Sequence, residues 1–409
     1  MLTDSRPAAG HLTGLPVWDG TRDLGPADVS WSADGTLTAV APVAPATAAA
    51  GTGLTVIPGL IDTHVHLVGN ASAARADFLG WPLVTRPEER TLHGLAQAQR
   101  ALRGGVTTVR DLSADDIQFS LRRALEQDVV TGPRVLAFGM VSMTGGHGDL
   151  FTPAAVRERP PVADGPDACR ALVRHWARSG ADGIKIATSG GVLSVGDKHS
   201  WRNHTPAEIA AIVDEAHALG LRVAAHAHTA EGVRVALEHG ADSIEHGTLI
   251  TAGQAERAAA AGVTLAPTLL INDRIAAGTG VTPEQQHKAA ELVGRRDAAL
   301  RAAEEAGLEI VLGTDANGYH VRFGDQMDEV RAMAGLFGWS AGRALEAATS
   351  RAASAVGLDG VTGSLRAGLC ADLLVVRGRP AHDLADLRPE NLVAVVSRGR
   401  VVAGQLPSS

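Results

Sequence analysis

The sequence predicts an α/β fold: a TIM (β/α)8 barrel carrying a small β-sandwich domain built from its N- and C-terminal segments. Short β-branched runs alternate with Ala-rich helical stretches through the middle of the chain, about eight times over. Residues 1–56 and 364–409 break that alternation with short strands, Gly and Asp turns and little helical periodicity. His64, His66, Lys185, His226, His246 and Asp315 stand at or just beyond the ends of apolar runs. Strand C-termini of a parallel barrel converge on one face, which makes neighbours of residues far apart in sequence.

Taken in order, Ala41 to Gly53, rich in Ala, Pro and Thr, reads as a linker into a barrel spanning 57–363. Strands are expected to begin near Thr55, Val106, Arg134, Gly183, Leu221, Asp242, Val263 and Glu309. The first is read as Leu54 to Ile61, leading into His64 and His66. Thr205-Pro-Ala-Glu208 is a helix start, because Thr205 can cap, Pro206 fits the first turn and Glu208 completes a capping box. Gly220 supplies the stop and returns the chain to the strand bearing His226. Beyond the barrel, Asp372 to Arg377 and Leu392 to Val402 read as a strand pair.

Composition narrows the function. The chain has 409 residues, 45% of them hydrophobic, enough for a barrel of roughly 250 residues and an added module. A formal charge of -8 without long runs of Lys or Arg gives no footprint for nucleic acid. No apolar run reaches membrane-spanning length and the N-terminus lacks a secretory pattern, so a cytoplasmic location away from membranes is expected. The two cysteines, Cys169 and Cys370, argue by their spacing for neither a disulfide framework nor a Cys-based zinc site.

Arginine outnumbers lysine 34 to 3, so the lysines that remain stand out. Lys185 sits inside an apolar strand run, where its amine has a chemistry that Arg cannot supply. It can lose a proton and take up CO2, giving a carbamate whose two oxygens can bridge two metal ions. The plain alternative is a lysine snorkelling to solvent. His64 and His66 alternate with Val65, so at a strand end both imidazoles point to the same side, which suits one metal.

The string Pro-Gly-Leu-Ile-Asp-Thr-His-Val-His, ending at His66, resembles the opening signature of the metal-dependent amidohydrolase superfamily. Glu245-His-Gly247, Gly313-Thr-Asp-Ala316 and Ala371-Asp372 are similar to its later signatures. Gly183 to Val192 and Ala225-His-Ala-His228 resemble the branch of prolidases, Xaa-Arg carboxypeptidases and an ochratoxin-cleaving amidase. The resemblance runs from about Thr55 to the C-terminus. It implies that His64, His66 and Asp315 bind one Zn2+, that His226 and His246 bind a second, and that carbamylated Lys185 bridges them. Imidazole and carboxylate ligands suit zinc on chemical grounds as well. The implied reaction is attack of a metal-bridging hydroxide on an amide carbonyl, with Asp315 passing the proton to the departing amine.

Substrate contacts are read from the strand-end loops. His228 could bond the oxyanion or substrate, or serve as a supporting imidazole; many prolidase-like relatives hold Tyr there. His147 is a candidate for gripping a substrate carboxylate, Ser189, Gly190 and Gly191 for offering backbone N–H donors, and Tyr319 and His320 for setting specificity. Asp111 could orient a ligand imidazole or pair with Arg110. His204 and eight other histidines show no ligand spacing.

The leading expectation is a binuclear zinc amidohydrolase that releases a C-terminal amino acid from a dipeptide, N-acyl amino acid or modified peptide, the last as a tailoring step in natural-product maturation. A mononuclear relative acting on a cyclic amide, amidine or aminated ring stays open, as does a scaffold without turnover. Homo-oligomers are a possibility, since related barrels often associate.

Overall fold

The computed structural model of the chain describes residues 8–44, 53–72 and 78–407. Near both ends, short runs give β1 (Gly10–Trp18), β2 (Asp23–Trp31), β3 (Leu37–Pro42) and β4 (Leu54–Pro58). Eight strands follow: β5 (Leu60–Val65), β6 (Val106–Ala114), β7 (Arg134–Met140), β8 (Gly183–Ala187), β9 (Arg222–Ala227), β10 (Ser243–His246), β11 (Thr264–Ala266) and β12 (Glu309–Ile310). The chain ends with β13 (Leu373–Arg377), β14 (Leu392–Ser397) and β15 (Arg400–Gly404).

Strands β5 to β12 pair in sequence order, all parallel, with helices between them. The sheet curls until its edges meet. Thr63 N donates to Leu312 O at 2.9 Å, Asp315 N to His64 O at 2.8 Å and His66 N to Ala316 O at 2.8 Å. The closing contact is thus made by the residues just after β12, and it sets Asp315 beside His64. This is the TIM-like barrel that the alternation of strand and helix predicted. The capping box at Thr205 and Glu208 is formed, and Gly220 follows the helix Pro206–Ala218 with φ +72°.

Two strand expectations are corrected. The run Leu54 to Ile61 is not one strand, because Gly59 divides it. Leu54–Pro58 pairs antiparallel with β13 in the terminal sheet, whereas Leu60 begins the barrel. A Cβ on Gly59 would lie 2.3 Å from Thr107 Oγ1, so only glycine lets the chain pass so close to β6. The run Leu392 to Val402 is likewise two strands, turned at Arg398 (φ +50°) and Gly399 (φ +74°) into a hairpin. The expected linker is strand at 41–42, and residues 45–52 of it lie outside the described residues.

The terminal segments form one seven-stranded sheet, ordered β15-β14-β13-β4-β1-β2-β3. It folds back on itself, since Trp31 Nε1 in β2 donates to Gly399 O in the far hairpin at 3.1 Å. Leu12, Leu15, Val17, Val29, Leu373 and Val375 lie in its own apolar core. Asp372 joins sheet to barrel. Its buried carboxylate accepts from Thr362 Oγ1, Ser397 Oγ and Arg398 N and pairs with Arg134 of β7 at 3.1 Å, while its carbonyl accepts from Gly59 N. Among the described residues, no helix is long and apolar enough to cross a membrane.

Candidate metal centre

At the C-terminal ends of the barrel strands, side chains from five strands and a closing loop meet. His64, His66 and Asp315 bring one ligand atom each to within 4.8 Å of one another, and His226, His228 and His246 do the same. The two groups touch, with the His64 and His246 ring centroids 5.1 Å apart. His246 and Asp315 hold left-handed backbone, φ +69° and +55°. So does Thr268 at +48°, whose hydroxyl meets His246 Nδ1 at 2.7 Å. Such conformations are costly for non-glycine residues, and their concentration here marks a site over-determined by its surroundings.

Each imidazole has a defined partner. His64 Nδ1 donates to Glu245 Oε2 at 2.9 Å, which leaves its Nε2 lone pair toward Asp315 Oδ1 at 3.7 Å. His66 meets Ser113 Oγ at 2.8 Å through Nδ1 and Asp315 Oδ1 at 3.0 Å through Nε2. His228 Nδ1 meets Thr248 Oγ1 at 2.8 Å, and His226 Nε2 faces Gly190 O at 3.2 Å. Burial drives the imidazoles toward the neutral form: His64 is lowered to about 4, His228 to about 3, and His226 and His246 fall well below their ordinary value. Neutral imidazole is the form that binds metal. Burial pushes the Asp315 carboxyl up, but His64, His66 and Lys185 outweigh it and leave the group lowered to about 2.

The Lys185 ammonium helps to depress His64 of one group and His226, His228 and His246 of the other. It is 3% exposed, and its Nζ has no hydrogen-bond partner. Burial lowers its pKa to about 8 against the pull of Glu245 and Asp315.

The other predicted residues fall around this cluster. The His147 ring stacks on His226 at 4.1 Å and 18°. Its Nδ1 meets Ser194 Oγ at 3.2 Å, and Ser194 gives its single proton to Asp197 Oδ2 at 2.7 Å. His147 therefore donates from Nδ1 and keeps a lone pair on Nε2, so it holds a carboxylate only after taking up a proton. Gly191 lies flat against that ring, and a Cβ there would stand 2.2 Å from it. Gly191 N already donates to Asp197 Oδ2 and Gly190 N to Trp201 O, so of the proposed backbone donors these two are engaged. Ser189 Oγ accepts from His228 N and donates to Gly190 O. His320 packs against Phe78 and Tyr319, with Nδ1 beside the Asn317 amide and Nε2 unpartnered. Asp111 neither touches a ligand imidazole nor pairs with Arg110. It accepts from Leu67 N and Ser113 N, and so places the Ser113 hydroxyl that bonds His66.

Sequence reasoning missed the support beneath the ligands. Arg110 Nη2 pairs with Glu245 Oε1 at 2.7 Å, and Ser243 Oγ bonds the same oxygen at 2.6 Å. A signal was present, since Arg110 and Glu245 are charges of opposite sign inside strands expected to be buried, and such charges need partners.

Residues 55–402 match the amidohydrolase family. The chain belongs to it. It is a metal-dependent hydrolase acting on carbon–nitrogen bonds. The chain is 30% identical over 364 residues to ochratoxinase of Aspergillus niger, covering 84% of this chain and 74% of the relative. It superposes on a Xaa-Pro dipeptidase with methionine bound in its active site, with TM-score 0.86, 30% identity and coverage of 97% and 100%. A prolidase complexed with N-methylphosphonate-L-proline gives TM-score 0.86, 32% identity and the same coverage.

The residues present fit the metal that the family requires. The centre offers neutral imidazoles, a carboxylate held ionised, and a buried amine with no other partner, which is a donor set suited to Zn2+ and similar divalent ions.

Proposed function

We propose that this amidohydrolase is a binuclear zinc enzyme that releases the C-terminal amino acid from a dipeptide or N-acyl amino acid. His64, His66 and Asp315 would hold one ion, His226 and His246 the other, and Lys185, as its CO2-derived carbamate, would span both. The observation that carries this reading is the unpartnered, buried Lys185 amine, whose charge acts on histidines of both candidate ligand groups. A permanent orphan there would cost about 1–3 kcal/mol, and a carbamate replaces the ammonium with an anion whose oxygens metal ions would satisfy. When bound, the ions supply Lewis acidity toward the amide carbonyl and an acidified water.

The chain's own residues do the rest. Asp315, ionised and within reach of His66, takes a proton from the reacting centre and returns it to the departing amine, which otherwise leaves badly. His228, held by Thr248 and gathered with His226 and His246, would donate to the oxygen on which charge develops. His147, Tyr319 and His320 would bind the leaving residue. The structural relatives described as a Xaa-Pro dipeptidase with bound methionine and a prolidase with N-methylphosphonate-L-proline hold ligands with an amino-acid unit, which supports the substrate class.

The test is a screen of dipeptides and N-acyl amino acids against zinc-loaded protein, together with metal analysis. Two catalytic zinc ions per chain and loss of activity and of one ion in Lys185→Ala are expected. Full activity of that variant with a single ion would overturn the reading in favour of a mononuclear enzyme.

A further inference from the structure

Cys169, His204 and Glu208 lie away from the barrel mouth cluster, yet their ligand atoms come within 4.8 Å of one another. Cys169 is in the helix Pro166–Ser179, His204 ends the segment that follows β8, and Glu208 is in the first turn of Pro206–Ala218. All three are buried, at 0%, 1% and 8% exposure. Their spacing in sequence gives no hint of a site; the packing of two helices creates it.

The hydrogen bonds fix what each atom offers. His204 Nε2 faces Val141 O at 3.2 Å, so that nitrogen carries the proton and Nδ1 a lone pair. Nδ1 is buried with no partner and faces Glu208 Oε2 at 3.9 Å, well beyond the 2.7–2.9 Å of a charge-assisted hydrogen bond. Glu208 Oε2 accepts from Thr205 N and Oγ1, and Oε1 from Gly165 N, which orients the carboxylate and leaves one lone pair on Oε1. The Cys169 thiol reaches only Ala163 O, at 3.7 Å. Three electron-pair donors therefore converge with no proton between Nδ1 and the carboxylate. One point lies within about 2.8 Å of all three atoms, so shifts of well under 1 Å bring them to zinc distances of about 2.0–2.3 Å.

We propose that Cys169, His204 and Glu208 form a further cation site, separate from the catalytic centre, that takes a divalent ion of the zinc type. Binding displaces the thiol proton to solvent, and thiolate plus carboxylate balance the ion's charge. The site fastens together two loops that serve the active face. His204 closes the loop bearing Ser189, Gly190 and Gly191, and Val141 and Ala163 flank the loop bearing His147.

The test uses the full chain with Cys370→Ser, whose only sulfur nucleophile is then Cys169. After chelation and reloading with Co2+, a near-ultraviolet thiolate-to-cobalt charge-transfer band is expected, with loss of the band and of one bound ion when Cys169→Ser or His204→Ala is added. The catalytic ligands include no sulfur, so this band stays whether that centre holds one ion or two. No band in the Cys370→Ser protein at saturating cobalt, or a band that persists without Cys169, overturns the proposal. Should the added substitutions impair folding, the Cys370→Ser spectrum decides alone.

Discussion

Different chemistry holds the imidazoles of the candidate metal centre: a carboxylate holds His64, whereas hydroxyls hold His66, His228 and His246. His64 rests on Glu245, itself paired with Arg110 and bonded to Ser243, so a buried charge network stands behind that ring. His246 and His228 rest on the hydroxyls of Thr268 and Thr248. A carboxylate fixes its imidazole's tautomer and raises its basicity, whereas a hydroxyl can donate or accept and leaves the ring's charge unaltered. The His64 network is thus the charged reference half, and the hydroxyl-held rings make the neutral half.

Breaking the charged support has the largest expected effect. Glu245→Gln leaves Arg110 buried without its counter-charge, and a loss of about 3–5 kcal/mol in unfolding free energy is expected, with metal affinity down about 10–100-fold. Denaturant unfolding and metal titration measure both; an unchanged affinity would show that the network is not the reference half.

Acid comes next. His64, His147 and His320 are lowered to about 4 and His228 to about 3, chiefly by burial. A histidine depressed in the folded state stabilises fully above its unfolded value of about 6.5 and loses that contribution as pH falls through the folded value. Metal-free protein is therefore expected to lose thermal stability steadily from about pH 6.5 to 4, and His228→Gln to flatten part of that slope. A profile flat across this window would contradict the burial argument.

Smaller effects test the neutral half. Gly191→Ala forces a Cβ against the His147 ring, and a raised KM with little change in kcat is expected in steady-state kinetics. Thr268→Val removes one hydroxyl at nearly constant shape, with an expected stability loss of about 1 kcal/mol. A larger loss than for Glu245→Gln would reverse the comparison.

The barrel strands were legible because each is short, apolar and separated by a helix, and seven of the eight begin within a residue of their expected positions. The first was obscured, since Leu54–Pro58 and Leu60–Val65 are both apolar and only Gly59 separates them. Of the six residues read as ligands from local strings at strand ends, His64, His66 and Asp315 fall in one group and His226 and His246 in the other. Their supports were not legible, because Arg110 and Glu245 are 135 residues apart and meet only through barrel closure. The Cys169, His204 and Glu208 cluster was unreadable for the same reason, being made by helix packing rather than by spacing.

The one-residue junction at Gly59 limits how this chain can change. Loops on the barrel rim can lengthen freely, but the lead-in to β5 cannot. One inserted residue between the two sheets would slide the strand by about 3.3 Å and exchange its inward and outward faces. Both imidazoles would then point away from the cavity. The terminal sheet is thus a fixed mount that sets the depth of His64 and His66, and grafting this barrel without it would forfeit that alignment.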